Sequence, residues 1–213
     1  LSMTKKERMA AVVNLLKEGY PDATCALQYR HDYELLFATR LSAQCTDARV
    51  NIVTQTLFRD FPTLQSFAEA PIEALEQGIK TCGLFRTKAR DIKACAQMLL
   101  ADFGGKVPDN MPDLLKLPGI GRKTANLILG DIYGQPAIVT DTHCIRLSNR
   151  LGFVKDIKEP AKVEAALRKL VPPKESSDFC HRLVLHGREV CTARAPKCEN
   201  CCLAAVCPSY PLG

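Results

Sequence analysis

The chain has 213 residues, enough for one large domain or two small ones, and its 29 lysines and arginines exceed its 23 acidic residues, which gives a net charge of +6. This basic excess suits a polyanionic partner without identifying one. No segment approaches the ~20 apolar residues of a membrane span. No secretory signal is evident, and the 11 cysteines are an odd number, so we expect a cytoplasmic protein without a disulfide framework.

Apolar residues recur at helical spacing along nearly the whole chain. The first such stripe consists of Met9, Val12, Val13 and Leu16. Asp32 and Asp47 are each expected to cap one of the next two helices. Further helices are predicted from Pro71, from Thr87 to Gly104-Gly105, and over residues 112–117, 122–133, 142–151, 160–170 and 176–186. No strand pattern is convincing, so the sequence predicts an all-α protein.

The segment Leu-Pro-Gly-Ile-Gly-Arg-Lys-Thr-Ala at residues 117–125 predicts two helices joined by a tight glycine hairpin. Pro118 cannot continue the preceding helix, because it lacks an N–H and clashes with the turn before it. Gly119 and Gly121 permit backbone angles that a side chain would forbid, and they leave room for a close approach by another backbone. A helix N-terminus preceded by glycines can bind a phosphate.

Lys123 distinguishes this segment from a general phosphate site. The second helix of the hairpin is expected to open at about Arg122, so Lys123 lies in its first turn. The helix dipole disfavours a cation there, and this favours a neutral amine. A neutral amine beside bound DNA is a nucleophile, although most lysines after such hairpins only contact phosphate.

The second motif is a run of cysteines near the C-terminus. Cys191, Cys198, Cys201 and Cys207 follow the pattern Cys-x6-Cys-x2-Cys-x5-Cys within 17 residues. Four thiolates this close in sequence indicate a metal site, and the residues alone leave zinc and an iron–sulfur cluster equally open. Cys202 could replace Cys201, which would give spacings of three and four residues.

The third motif is Val-Thr-Asp-Thr-His at residues 139–143, after a Gly-Gln-Pro turn. Asp141 precedes an apolar helix, and its ordinary role would be to cap that helix. A carboxylate at this position could also stabilise a developing positive charge, because capping uses only one of its two oxygens.

These three motifs together resemble the helix-hairpin-helix DNA glycosylases, and specifically the endonuclease III family, along essentially the whole chain. The resemblance implies a two-domain all-α architecture with a DNA cleft between the domains. Residues 25–135 would form a helical barrel carrying the hairpin. Residues 1–24 and 136–213 would form an iron–sulfur cluster domain. It also implies a monomer of bacterial type that works in the cytoplasm with the chromosomal DNA.

The resemblance further implies an enzyme of base-excision repair, a bifunctional N-glycosylase and AP lyase that acts on double-stranded DNA with oxidised pyrimidines or abasic sites. Lys123 would attack the sugar C1′ and form a Schiff base, Asp141 would serve the chemistry, and strand cleavage would follow by β-elimination. No residue pattern in the chain reveals the choice of base.

The same resemblance assigns binding roles to the other motifs. It favours a 4Fe–4S cluster over zinc, and its spacing selects Cys201 over Cys202. The resemblance implies that Gln44 and Leu84 enter the duplex when a nucleotide is flipped out. It implies contacts with the DNA backbone at six further positions: Gly119, Gly121, Arg122, Arg188, Arg194 and Lys197.

Two other functions fit part of this pattern. An adenine-excising relative shares the hairpin, the aspartate and the cluster. It typically lacks the hairpin lysine, which is present here as Lys123, and it carries an additional C-terminal domain, which we do not expect here. A non-catalytic DNA-binding module would use the hairpin and metal for affinity alone. Such a module would need neither Lys123 nor Asp141.

Overall fold

The computed structural model describes residues 2–212, and no β-strand occurs in that range, which confirms the prediction of an all-α protein. The chain divides into two compact units. Cys25–Tyr133 is the hairpin unit, and Leu1–Thr24 with Gly134–Gly213 is the cysteine-loop unit. Within residues 2–212, every helix is too short or too polar to cross a membrane.

The hairpin unit consists of seven helices built around an aromatic centre. The helices are α2 (Asp32–Leu41), α3 (Asp47–Asp60), α4 (Leu64–Glu69), α5 (Ile72–Ile79), α6 (Phe85–Asp102), α7 (Met111–Leu114) and α8 (Arg122–Asp131), with a 3-10 turn at Lys80–Cys82. Phe67 is fully buried, and its ring centroid lies 4.9 Å from that of Phe37 in an edge-to-face arrangement. Such aromatic pairs add to the free energy gained by burying their area.

In two helices of this unit the N-cap is the residue before the predicted one. Thr46, not Asp47, caps α3, because its side-chain oxygen accepts the Arg49 N–H. His31 holds the cap position of α2 without a side-chain hydrogen bond. Asp32 and Asp47 are instead the first residues of their helices, where the positive end of the helix dipole stabilises a negative charge.

The longest helix, α6, begins two residues before the predicted Thr87. Its first residue is Phe85, and the N-cap is Leu84, a non-glycine residue in the left-handed region at φ +48°. The Lys88 N–H donates to the Leu84 carbonyl at 3.0 Å, which is the first hydrogen bond of the helix. A left-handed leucine is not a start signal that a sequence pattern reveals.

The described part of the cysteine-loop unit, residues 2–24 and 134–212, contains four α-helices. They are α1 (Lys5–Gly19), α9 (Thr142–Arg150), α10 (Pro160–Leu170) and α11 (Ser176–Glu189). The predicted stripe Met9, Val12, Val13 and Leu16 is buried in the core of this unit, against residues of the other three helices. Helices α9 and α11 approach closely at Gly187, where an added Cβ would lie 2.7 Å from Nδ1 of His143.

Candidate active site and metal loop

The glycine hairpin joins α7 to α8 in the hairpin unit. Leu117 and Ile120 are buried on either side of the turn, and the Ile120 N–H donates to the Leu117 carbonyl at 3.2 Å. Gly121 is the N-cap of α8, and no side chain caps this helix end. The first-turn N–H groups of α8 therefore keep the capacity to bind an anion.

The two glycines of the hairpin have different surroundings. Gly119 has φ +74°, and a Cβ there would lie 2.9 Å from Cδ and Nε of Arg40. Gly121 has an extended backbone, and a Cβ there would meet no atom within 4 Å. Gly119 is therefore required by the fold itself, whereas the space beside Gly121 is open to another molecule.

Lys123 is the second residue of α8, and its side chain is exposed. The helix dipole acts on its amine, and the hairpin glycines precede it by two and four residues. Arg122 is also exposed at the start of this helix. The hairpin unit therefore brings a lysine amine to the same helix end as the backbone N–H groups.

Asp141 belongs to the cysteine-loop unit and is the N-cap of α9. Its Oδ1 accepts the Cys144 N–H at 2.7 Å, and the residue is half-buried. Within residues 2–212 its Oδ2 accepts no hydrogen bond, so one carboxylate oxygen keeps its capacity for another role. His143 in the same motif is engaged by Arg146, with 3.0 Å between Nη2 and Nδ1.

Gln44 and Leu84 share an unusual backbone conformation. Gln44 has φ +54° and Leu84 has φ +48°, and both side chains are exposed. Leucine and glutamine rarely adopt the left-handed region, because Cβ approaches the following carbonyl oxygen. An exposed leucine in a strained conformation indicates a functional position more often than a packing one.

The cysteine loop, residues 191–207, holds four half-buried thiols. A 3-10 turn begins at Cys198, and another lies between Cys201 and Cys207. Each sulfur has a contact: Cys191 Sγ with Arg150 Nη1 at 3.2 Å, Cys198 Sγ with the Leu212 N–H at 3.4 Å, Cys201 Sγ with His186 Nε2 at 3.4 Å, and Cys207 Sγ with the Arg150 carbonyl at 3.8 Å.

The four thiols lie close enough to influence one another's charges. Burial raises the pKa of the Cys201 thiol to about 11, with further increases from the charges of Cys202, Cys191 and Cys207. Burial also raises the pKa of Cys207, and the charges of Cys191 and Cys198 contribute. Among the described residues, no three cysteine, histidine or acidic side chains converge on a site for a single metal ion.

Cys202 differs from its neighbour Cys201. Its side chain is exposed, and its Sγ lies 3.5 Å from the position that a Cβ on Gly19 would take, at the end of α1. Cys201 is half-buried and contacts His186, which is itself buried and has a pKa lowered to about 4 by burial.

Arg150, the last residue of α9, binds this loop, and no sequence pattern indicated that role. Its Nη1 donates to Cys191 Sγ and to the Thr192 carbonyl at 2.8 Å, and its Nη2 donates to the Ala193 carbonyl at 3.1 Å. An arginine at the end of an amphipathic helix carries no signal of such a role. The contact joins residues 41 positions apart in the sequence, so it depends on how the chain folds back on itself.

The three basic residues assigned to DNA contact lie on the surface of the cysteine-loop unit. Arg188 is exposed in the last turn of α11. Arg194 and Lys197 are exposed within the cysteine loop, and the Lys197 N–H donates to the Val190 carbonyl at 2.9 Å. The backbone of this loop is therefore fixed close to the end of α11.

An all-helical fold with a glycine hairpin, a first-turn lysine and a loop of four cysteines is typical of helix-hairpin-helix DNA glycosylases. The sequence pattern of the HhH-GPD superfamily base excision DNA repair proteins matches residues 37–173. The chain is 44% identical to endonuclease III of Synechocystis sp. over 207 residues, 97% of this chain and 94% of that protein. Identity to endonuclease III of Escherichia coli is 39% over 205 residues, 96% of each chain.

Solved structures give the same result. A trapped endonuclease III–DNA covalent intermediate superposes with a TM-score of 0.91 at 42% identity over 97% of each chain. A thermostable thymine-DNA glycosylase superposes with a TM-score of 0.87 at 25% identity, over 96% of this chain and 97% of that one. The chain belongs to the HhH-GPD superfamily of base excision DNA repair proteins, and within it to the endonuclease III family.

Proposed function

We propose that the protein excises oxidised pyrimidines from double-stranded DNA as a bifunctional N-glycosylase and AP lyase, with Lys123 as its nucleophile. The observation that carries this proposal is the exposed amine of Lys123 in the first turn of α8, directly after the glycine hairpin. A related endonuclease III has been trapped as a covalent intermediate with DNA. A covalent intermediate requires a nucleophile from the protein.

The reaction proceeds through an imine on Lys123. Its neutral Nζ attacks C1′ of the flipped nucleotide, and the N-glycosidic bond breaks with its electron pair on the departing base. Loss of an amine proton and opening of the sugar ring give a Schiff base, which acidifies the C2′ proton. Removal of that proton expels the 3′ phosphate, which cuts the strand, and water then hydrolyses the imine and releases the lysine.

Asp141 supports this step through the carboxylate oxygen that does not cap α9. Its negative charge stabilises the positive charge that develops on the sugar as the base departs, and it can accept the proton that the attacking amine loses. The hydrogen bond from the Cys144 N–H fixes the orientation of the carboxyl group, so this oxygen is positioned before the substrate arrives.

The hairpin anchors the DNA backbone beside the lysine. The N–H groups at the start of α8 bind a phosphate, and the absence of a side chain at Gly121 lets the phosphate approach them. Arg122 adds a positive charge at the same place. Gly119 contributes the turn itself, since its φ of +74° is open to glycine and strained for other residues.

Gln44 and Leu84 fill the space that the flipped nucleotide leaves. Glycosylases extrude their target base, and contacts made in the vacated stack offset the free-energy cost of unstacking. The Gln44 amide can hydrogen-bond the orphaned partner base, while Leu84 offers an apolar side chain that is 55% exposed. Both side chains are free to enter a duplex because neither packs in the core.

A 4Fe–4S cluster on Cys191, Cys198, Cys201 and Cys207 completes this proposal. Four cysteine thiolates would hold such a cluster, and the spacing Cys-x6-Cys-x2-Cys-x5-Cys, which resembles that of the endonuclease III family, favours it over zinc. The four thiols lie in one loop and influence one another's charges, so one group could be held by all four. When bound, the cluster cross-links the loop.

The basic residues of the cysteine loop then serve as phosphate contacts. Arg194 and Lys197 lie between the first two cluster ligands, so a cross-linked loop holds them in a fixed arrangement. Arg188 precedes the first ligand by three residues. Contacts of this kind position the protein on the duplex without reading sequence.

Sodium borohydride trapping on a duplex with an abasic site tests the proposal. The wild-type protein is expected to form a covalent adduct, and Lys123→Gln should form none while it still binds the duplex. Lys116→Gln is a matched control, because Lys116 is exposed in the same unit and pairs with Asp113 at 2.8 Å. Binding without trapping by the wild type would indicate a non-catalytic DNA-binding module, and trapping by Lys123→Gln would mean that another amine is the nucleophile.

A further inference from the structure

Lys88 is a fully buried lysine that the reaction described above does not use. It lies on α6, and its exposed fraction is 0%. Its Nζ donates to three carbonyl oxygens: Leu41 O at 2.9 Å, Ala43 O at 2.7 Å and Cys82 O at 2.9 Å. An ammonium group has three N–H donors and no acceptor, so this arrangement satisfies it completely.

The surroundings of Lys88 contain no carboxylate partner among residues 2–212. Burial lowers the pKa of its amine, the nearby thiols of Cys82 and Cys45 raise it, and the Arg40 guanidinium lowers it. A buried cation without a counter-ion is costly unless its hydrogen bonds are complete. A methionine of similar volume would fill the same space but would leave three carbonyls without this donor, so the lysine serves its hydrogen bonds and not only the packing.

The three carbonyls that Lys88 binds come from two separate segments, the end of α2 with the loop after it (Leu41 and Ala43) and the 3-10 turn that ends at Cys82. Ala43 directly precedes Gln44, and Cys82 lies two residues before Leu84. The backbone N–H of Lys88 also donates to the Leu84 carbonyl at 3.0 Å. One residue therefore contacts both segments that carry a strained, exposed side chain.

Left-handed backbone at a non-glycine residue persists only where the surrounding structure fixes it. Gln44 and Leu84 are both in this conformation. Lys88 Nζ binds the carbonyl of the peptide that precedes Gln44 and the Cys82 carbonyl two residues before Leu84, and the Lys88 backbone N–H binds the carbonyl of Leu84 itself. The Lys88 side chain therefore links the two loops directly, beside a side-chain hydrogen bond between the thiols of Cys45 and Cys82.

We propose that Lys88 is a positioning residue that holds the Gln44 loop and the Leu84 loop in register, so that both side chains enter the duplex together. This inference rests on the proposed function of Gln44 and Leu84 as residues that fill the vacated stack. Without the ammonium group, each loop would relax independently from its strained conformation, and the two side chains would no longer match one gap in the base stack.

The test compares Lys88→Met with Lys93→Met. Lys93 lies five residues further along the same helix, and its Nζ donates to the Ala70 carbonyl at 2.6 Å, away from both loops. The substrate is a duplex with a stable abasic analogue and 2-aminopurine opposite it, whose fluorescence rises when the side chains enter and the base unstacks. Thermal melting and affinity for undamaged duplex are measured for each variant.

The expected result separates position from stability. Lys88→Met should lose the fluorescence change and lower the single-turnover excision rate by about 10²-fold, the order of loss that a misplacement of about 1 Å causes. Its affinity for undamaged duplex should change little, because the hairpin remains. Lys93→Met should keep both the fluorescence change and the rate, even where its melting temperature falls.

Other results would overturn the inference or its basis. Lys88→Gln, which keeps an N–H donor on a shorter side chain, serves if Lys88→Met does not fold. A failure of both to fold would make Lys88 a residue of core stability, and a normal fluorescence change in a folded variant would remove its positioning role. No fluorescence change in the wild type would instead contradict the proposed role of Gln44 and Leu84.

Discussion

Gly119 lies directly against the side chain of Arg40, which forms an ion pair with Asp91. A Cβ on Gly119 would lie 2.9 Å from Cδ and Nε of Arg40 and 3.0 Å from Oδ2 of Asp91, while Arg40 Nε and Asp91 Oδ2 are 2.8 Å apart. The hairpin turn therefore rests on a half-buried ion pair between α2 and α6. This contact separates the role of Gly119 in folding from the role of Gly121 in binding.

The first prediction is that Gly119→Ala destabilises the protein by about 1–3 kcal/mol, because left-handed backbone alone costs a residue with Cβ ~1–2 kcal/mol and the Arg40–Asp91 pair must also move. Gly121→Ala is the control. Its Cβ enters open space on an extended backbone, so its free energy of unfolding should change by less than about 0.5 kcal/mol. Urea denaturation measures the free energy of unfolding of both variants. Equal decreases would contradict the different roles assigned to Gly119 and Gly121.

The second prediction concerns the open space beside Gly121. Gly121→Val should fold normally, because valine readily adopts an extended backbone. It should bind damaged and undamaged duplex about tenfold more weakly, because its side chain would block the approach of the phosphate. The slope of affinity against salt should stay the same, because no charge is lost. Arg194→Ala should instead reduce that slope by about 0.9. Normal binding by folded Gly121→Val would remove the hairpin as the anchor.

The third prediction separates the two roles of Asp141. Asn also caps helices well, so Asp141→Asn should keep the bond to the Cys144 N–H and melt within a few degrees of the wild type. Loss of the negative charge should lower single-turnover excision ~10²–10³-fold. Asp141→Ala should lose stability as well, by about 1 kcal/mol. Near-normal excision by Asp141→Asn would leave Asp141 with only its capping role.

The fourth prediction distinguishes Cys201 from Cys202. The purified protein should be yellow-brown with about four irons, and Cys201→Ser should lose the colour because it removes a proposed ligand. Cys202→Ser should keep the colour, since Cys202 is exposed beside the end of α1. Iron analysis and absorbance check both. The reverse result would exchange the two assignments, and colourless, active protein with one zinc would exclude the cluster.

The sequence by itself determined the features that depend on a few neighbouring residues. The stripe beginning at Met9 predicted a helix and its buried face, and Asp141 predicted a cap that the structure shows at 2.7 Å. Proline and glycine at 118–121 predicted the hairpin. These features follow from helical periodicity and capping, which act over one or two turns. The same local rules misplaced both predicted caps by one residue: Thr46 takes the cap position that Asp47 was expected to hold, and α2 begins at Asp32 itself, after His31, which forms no side-chain capping bond.

Only the tertiary structure decided which side chains meet across long stretches of chain. Lys88 reaches carbonyls 45 and 47 residues away, and Arg150 reaches the cysteine loop across 41 residues or more. No local pattern marks a buried lysine in a helix as a link between two loops. Such contacts depend on how whole helices pack, and that packing is set by the summed burial of many residues, so a single position carries no signal of its partner.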